Sequence, residues 1–133
     1  MPFVLDVSVM IAWALEDERN NRSDSLLILA RDRGLVVPQL LWFEIRSALL
    51  MAERRKRISG DAADTFLSGL EDLQIRFAGR SHGGDLLRLA RKHQLTSYDA
   101  AYLELAMREA LPIATFDEAL LRSASAEGVD ILK

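Results

Sequence analysis

The stretch Phe3-Val4-Leu5-Asp6-Val7-Ser8-Val9-Met10-Ile11-Ala12-Trp13-Ala14-Leu15 decides the fold. Phe3 to Leu5 is a short apolar run of the kind a buried strand carries. Ser8 opens an apolar pattern expected to run as a helix to about Asp17. A carboxylate, Asp6, stands at the junction. Strand followed by helix then recurs. Leu35 to Val37, closed by Pro38, precedes a long helical pattern from about Gln39 to Arg57. Leu73 to Phe77 precedes a turn over 79–84 and a helix from Asp85 to His93, and Ile113 to Thr115 precedes a helix from Asp117 to Ala126. Between these units, a polar loop is expected over Glu16 to Asp24, followed by a helix around Leu26, Leu27, Leu29 and Ala30 that Gly34 ends. Ser59 is placed as the N-cap of a further helix with Asp61 and Asp64 in its first turns, residues 95–106 read as helix, and Val129 to Leu132 read as a terminal strand. Such alternation implies an α/β fold, a mostly parallel sheet covered by helices on both faces and joined by right-handed crossovers. In folds of this kind ligands bind at the carboxyl ends of the strands, near the point where strand order reverses. Asp6 and Asp117 both fall at such ends.

The 133 residues fit one domain over 1–133, and half of them are hydrophobic, enough for a real core. There is no cysteine, so neither a disulfide framework nor a thiolate metal site can form, which agrees with a reducing cytoplasm. Asp6 interrupts the first apolar stretch and no basic leader precedes it, so the N-terminus does not read as a secretory signal. No apolar run is long enough to span a bilayer, and no membrane association is expected. The formal net charge of −3 gives no global pull toward nucleic acid. No glycine fingerprint follows the first strand, which removes dinucleotide binding.

Besides Asp6 and Asp117, two acids stand in apolar surroundings. Glu44 lies inside Leu40-Leu41-Trp42-Phe43-Glu44-Ile45-Arg46-Ser47-Ala48-Leu49-Leu50, where its helical neighbours are Leu40, Leu41, Ser47 and Ala48. Asp99 opens Leu95-Thr96-Ser97-Tyr98-Asp99-Ala100-Ala101-Tyr102-Leu103-Glu104-Leu105-Ala106. Each has a structural reading. Asp6 and Asp117 could be N-caps, Thr96 to Asp99 matches a capping box, and Glu44 could belong to a buried ion pair. Ser8 is a second candidate cap of the first helix, or it could hydrogen-bond a metal-bound water beside Asp6. Taken together, four carboxylates on apolar segments suggest a shared pocket for a hard divalent cation, since such groups need a partner and Mg²⁺ or Mn²⁺ favours oxygen ligands. His82 and His93 show no ligand spacing and read as ordinary surface or loop residues, so zinc is not expected. The runs Arg54 to Arg57 and Arg88, Arg91 and Lys92 read as solvated helix surface, with the second also suited to an RNA backbone. Trp13, Trp42 and Phe43 read as core, with any exposed subset pointing to a protein interface.

These residues resemble the PIN-domain ribonucleases, and within them the VapC-like toxins of toxin–antitoxin pairs. The resemblance covers essentially the whole chain and rests on residues 3–15, on Pro38 to Leu50 with Glu44, on residues 95–106 and on Ile113-Ala114-Thr115-Phe116-Asp117-Glu118-Ala119-Leu120-Leu121. It implies a three-layer α/β/α sandwich with a mostly parallel central sheet. It also implies Mg²⁺- or Mn²⁺-dependent endoribonuclease activity in which water attacks an RNA phosphodiester in line and a 3′-hydroxyl leaves. The family's metal-binding acids map onto Asp6, Glu44, Asp99 and Asp117, its hydroxyl two residues after the first acid onto Ser8, and its hydroxyl before the last acid onto Thr115. Phe116 departs from the small polar residue many relatives carry there. A homodimer and an antitoxin partner that blocks the acidic site are further implications. Two other readings are a catalytically degenerate PIN-like domain used for binding, and phosphoryl transfer through an aspartyl-phosphate on Asp6. The second lacks the positioned lysine that chemistry uses.

Overall fold

A computed structural model describes residues 1–80 and 83–133. Its elements follow the predicted alternation: β1 (Val4–Leu5), α1 (Val7–Ala14), α2 (Asn21–Arg33), β2 (Leu35–Pro38), α3 (Leu40–Arg54), α4 (Gly60–Leu70), β3 (Ile75–Ala78), α5 (Gly83–His93), α6 (Ser97–Glu109), β4 (Ile113–Ala114) and α7 (Glu118–Ala126). β1 pairs with β4 in parallel, Val4 with Ile113 and Leu5 with Ala114. β2 pairs with β3 in parallel, from Leu35 with Ile75 to Pro38 with Ala78. A parallel bridge from Phe3 to Leu35 joins the two ladders, with the Val36 N–H donating to the Phe3 carbonyl at 3.0 Å. Ile131 adds a bridge beside Ile113. The spatial order is therefore β3, β2, β1, β4 and then the 130–132 segment. From β1 the chain first builds outward through β2 and β3, then returns to the other side of β1. The order reverses between β1 and β4, the position where a parallel sheet opens a crevice at its carboxyl edge.

The core explains why such short strands hold. Phe3, Val4, Leu5, Val37, Ile113 and Ala114 are fully buried, because a central parallel strand is covered on both faces. The helices fall into two packed groups, α1 with α2 and α3, and α6 with α5 and α7, with α6 lying on β1 and β2. These are the outer layers of an α/β/α sandwich. None of the described helices is long and apolar enough to cross a membrane.

Several boundaries differ from the sequence reading for local reasons. α1 stops at Ala14 rather than near Asp17, with Leu15 in extended conformation. The loop expected over Glu16 to Asp24 is shorter, because the Asn20 side chain accepts from the Ser23 N–H while the Ser23 hydroxyl accepts from the Asn20 N–H, both at 2.9 Å. That reciprocal cap starts α2 at Asn21. Gly34 ends α2 at φ +81, and a Cβ there would meet the Gln74 carbonyl oxygen at 3.0 Å. Only glycine suits that backbone, and its closeness lets the Leu35 N–H donate to Gln74 and set the β2–β3 register. Ser59 caps α4 as expected. The predicted turn over 79–84 contains Ser81 and His82, which lie outside the described residues, and α5 begins at Gly83. Arg57 is exposed, as expected, but it lies beyond α3 and pairs with Asp17 at 3.0 Å and Glu18 at 2.7 Å. His93 is not an ordinary surface residue either. Its Nε2 lies 2.6 Å from Glu127, which also accepts from Lys92 at 2.8 Å, so the ends of α5 and α7 are tied together.

Candidate active site

β1 and β4 end side by side, and their last residues deliver Asp6 and Thr115 to one point. Asp6 has the extended backbone of an N-cap, but its side chain makes no capping hydrogen bond to α1. Instead the Ser8 hydroxyl donates to Oδ1 at 2.6 Å and the Thr115 hydroxyl donates to Oδ2 at 2.8 Å. Each hydroxyl has one proton and spends it on Asp6. Each also accepts a backbone N–H, Ser8 from Phe116 at 2.9 Å and Thr115 from Asp117 at 3.0 Å. The 3.3 Å approach of the two hydroxyl oxygens is therefore a contact rather than a third donated bond. The network fixes a carboxylate that is only 4% exposed. Burial pushes the Asp6 carboxyl above its ordinary value, the Ser8 and Thr115 hydroxyls pull it back in part, and the Asp117 charge adds to the rise.

Glu44 comes from α3, where it borders the apolar stripe of Leu41, Ile45 and Leu49. The buried Tyr102 hydroxyl of α6 donates to its Oε1. Burial raises the Glu44 carboxyl, the Tyr102 bond opposes this, and the charges of Asp99 and Asp6 raise it further. Burial also raises the Tyr102 phenol, with Glu44 next, so the phenol stays a donor. Asp99 is half-buried in the first turn of α6, where the Thr96 hydroxyl accepts from its N–H at 3.1 Å. Burial and then the Asp117 charge raise its carboxyl. Asp117 does cap α7, its Oδ2 accepting from the Leu120 N–H at 2.8 Å. Its own N–H belongs to the Asp6 network through the Thr115 hydroxyl.

All six residues singled out in the sequence thus gather at the β1–β4 edge, linked by hydrogen bonds or by mutual charge. The donor set is hard oxygen without thiolate, the type that Mg²⁺ and Mn²⁺ take. Among the described residues, no three His, Asp or Glu side chains are grouped so as to hold a metal ion. The fit is one of chemistry and charge. Mg²⁺ is commonly held by one or two carboxylates while keeping several waters, so an open acidic edge accords with it. Phe116 supplies only its N–H to the network, and its ring lies under the Arg22 guanidinium at 5.0 Å. Tyr102 is not among the residues the sequence singles out. The signal that it positions Glu44 was present, since a buried tyrosine hydroxyl in mid-helix needs an acceptor and a buried glutamate needs a donor.

The raised Asp6 carboxyl has a stability consequence in metal-free protein. Below the ordinary 3.8 the group is protonated in both folded and unfolded chains, and its ionisation costs nothing. As pH rises through the higher folded value, the fold loses stability that Asp6→Asn retains. Thermal melts in EDTA between about pH 4 and pH 8 should show Asp6→Asn equal to or more stable than wild type near neutrality, with the gap closing in acid. An Asn variant less stable by the same margin at every pH would mean that the carboxylate serves only as a structural acceptor.

The pattern of the PIN domain family matches residues 3–125, from β1 into the last turn of α7. The chain is similar to ribonuclease VapC3 of Pyrobaculum aerophilum, 28% identical over 123 residues that make up 90% of this chain and 92% of that protein. Among solved structures it is similar to PAE2754 from Pyrobaculum aerophilum, with a TM-score of 0.71 and 25% identity over 92% of this chain and 86% of that one. FitAcB from Neisseria gonorrhoeae shares the fold, with a TM-score of 0.68 at 15% identity, covering 98% of this chain and 96% of that one. With its strand order, its carboxyl-edge acids and a match over nearly its full length, the chain belongs to the PIN domain family.

Proposed function

We propose that this PIN domain is a divalent-metal-dependent endoribonuclease, the toxin of a toxin–antitoxin pair. The observation that carries the reading is the buried Asp6 carboxylate, held by Ser8 and Thr115 at the strand-order reversal with Glu44, Asp99 and Asp117 close enough for their charges to act on one another. The similarity to a ribonuclease VapC supports it. Asp6, Glu44, Asp99 and Asp117 would hold Mg²⁺ or Mn²⁺. A bound ion supplies charge neutralisation on the phosphate and acidifies water. Asp6 contributes fixed negative charge, because both of its oxygens are held by donors. Glu44 and Asp99 are half-exposed and raised in pKa, so they are suited to orient the attacking water and take its proton. The new P–O bond forms in line with the breaking one, and the departing O3′ takes a proton to leave as a 3′-hydroxyl. Ser8 and Thr115 are positioning residues, as is Tyr102 for Glu44. An aspartyl-phosphate on Asp6 is disfavoured by the same geometry, since the group is buried, held at both oxygens and surrounded by acids rather than a lysine. A purely binding role is disfavoured by the intact acids.

Purified chain freed of any co-purifying partner should cut one or more structured RNAs with Mg²⁺ or Mn²⁺ and not in EDTA, and Asp99→Asn should lower the rate by about 10²-fold or more. EDTA-insensitive cleavage, or full activity of Asp99→Asn, would reject the metal mechanism.

The acidic edge also suits an arginine of an antitoxin, which could offset its charge through paired hydrogen bonds. We assign self-association to the outer face of α3, where Phe43 is 67% exposed, Trp42 45% and Leu50 50%. Phe43 and Leu50 are seven residues apart and share one side of the helix. The absence of cysteine agrees with action in the cytoplasm. Light scattering should give a dimer mass for wild type and a monomer for Phe43→Glu; a monomeric wild type across a wide concentration range would contradict this assembly.

A further inference from the structure

A cavity of about 800 Å³ opens at the carboxyl ends of β2 and β3, and none of the four acids lines it. This volume falls within the range of ligand sites, on the order of 300–1,000 Å³. One wall is apolar, with Leu40 of α3, Leu86 of α5 and Ala101 of α6. Two guanidinium groups, Arg80 and Arg108, stand against it, and Gln39 adds an amide. Arg108 is held in place: its Nε donates to the buried Glu104 carboxylate at 2.6 Å and one terminal nitrogen donates to the Gly79 carbonyl at 3.1 Å. Arg80 is exposed beside Gly79, where nothing crowds the backbone.

The cavity adjoins the acidic edge. Leu40 lies one helical turn before Glu44 on the same side of α3, and Ala101 directly precedes Tyr102, which holds Glu44. β2, whose end forms the cavity floor, neighbours β1, whose end carries Asp6. Neighbouring strands lie about 4.8 Å apart, so the cavity opens at the strand end next to the one that carries Asp6. An apolar wall beside two guanidinium groups, one of them held in place, matches the two halves of a nucleotide, an uncharged base face and an anionic phosphate. We propose that this cavity is a nucleotide subsite, taking one unpaired nucleotide of the RNA next to the scissile bond. The base lies on the Leu40, Leu86 and Ala101 wall, and the phosphate meets Arg80 and Arg108. The proposal rests on the ribonuclease reading of the acidic edge. A base within a duplex could not enter.

The test is binding in EDTA, which separates it from cleavage. A fluorescent single-stranded oligoribonucleotide is titrated with wild type, Arg80→Ala and Ala101→Phe, and each variant is checked by thermal melt. Arg108 is left intact because its loss would strand Glu104 without a partner. Arg80→Ala should weaken binding several-fold and lower the slope of log Kd against log salt by about 0.7, the loss of one single-strand phosphate contact. Ala101→Phe, which fills the wall, should weaken single-strand binding several-fold while leaving the salt slope unchanged. Duplex RNA should compete poorly. Both variants binding like wild type, while wild type cleaves RNA, would overturn the subsite and leave the nuclease reading intact. Weakened binding by both variants in a protein that cleaves no RNA would sustain the subsite and overturn the nuclease reading. Equal competition by duplex RNA, or loss of an antitoxin's binding rather than RNA's in Arg80→Ala, would also overturn the subsite.

Discussion

A single buried carboxylate organises the carboxyl edge of the sheet in this molecule. Asp6 sits where two central strands finish, almost without solvent, and its two oxygens are satisfied by hydroxyls from either side of the junction. Those hydroxyls in turn accept the N–H groups of Phe116 and Asp117. Every donor in this network thus has an acceptor, and the carboxylate is a rigid feature of the sheet edge. An unpaired charge at the same place would be costly. The arrangement also preorganises what surrounds it. Because Thr115 holds the Asp117 N–H, the start of α7 is fixed relative to β1. Because Tyr102 holds Glu44, α3 is fixed relative to α6.

The same edge concentrates negative charge. Burial is the first cause of the raised carboxyls of Asp6, Glu44 and Asp99, and mutual repulsion adds to each. The fold can hold these groups because the rest of it is conventional: fully buried central strands, side-chain caps on α2, α4, α6 and α7, and no buried side-chain polar atom without a partner among the described residues. Strain kept at one edge and supported by a well-packed core is a common property of functional sites. Relief of that strain by a cation, by phosphate-bound metal or by a partner's arginine would couple binding at this edge to stability.

Much of this was legible in the residues. The buried strands from Phe3 and Ile113 show as short apolar runs, and Asp6 and Asp117 mark their carboxyl ends without further information. The four acids stand out because each lies on an otherwise apolar segment, and the blocks that carry them resemble a known family. What was not legible depends on partners distant in sequence or on competing local chemistry. The early start of α2 needed the Asn20–Ser23 reciprocal cap to be recognised within a polar stretch. The roles of Arg57 and His93 depend on Asp17, Glu18 and Glu127, which no local periodicity brings to them. Tyr102 lay in a helical pattern where an aromatic reads as packing, and its hydroxyl partner is 58 residues away. Asp117 shows that a cap can also belong to the Asp6 network: one oxygen caps α7 while its own N–H is held by Thr115.

The central claim is that the acids at the β1–β4 edge form one cation site. Direct titration with Mn²⁺, read by its electron paramagnetic resonance signal, tests it without any substrate. Wild type should bind Mn²⁺ saturably, with Mg²⁺ competing, and Asp6→Asn and Asp99→Asn should each weaken binding by about tenfold or more, since each removes a charged ligand from a common site. No saturable binding up to about millimolar Mn²⁺, a range that spans weak extracellular-type sites, or unchanged affinity in both variants, would contradict the claim and leave these carboxylates as caps and structural acceptors.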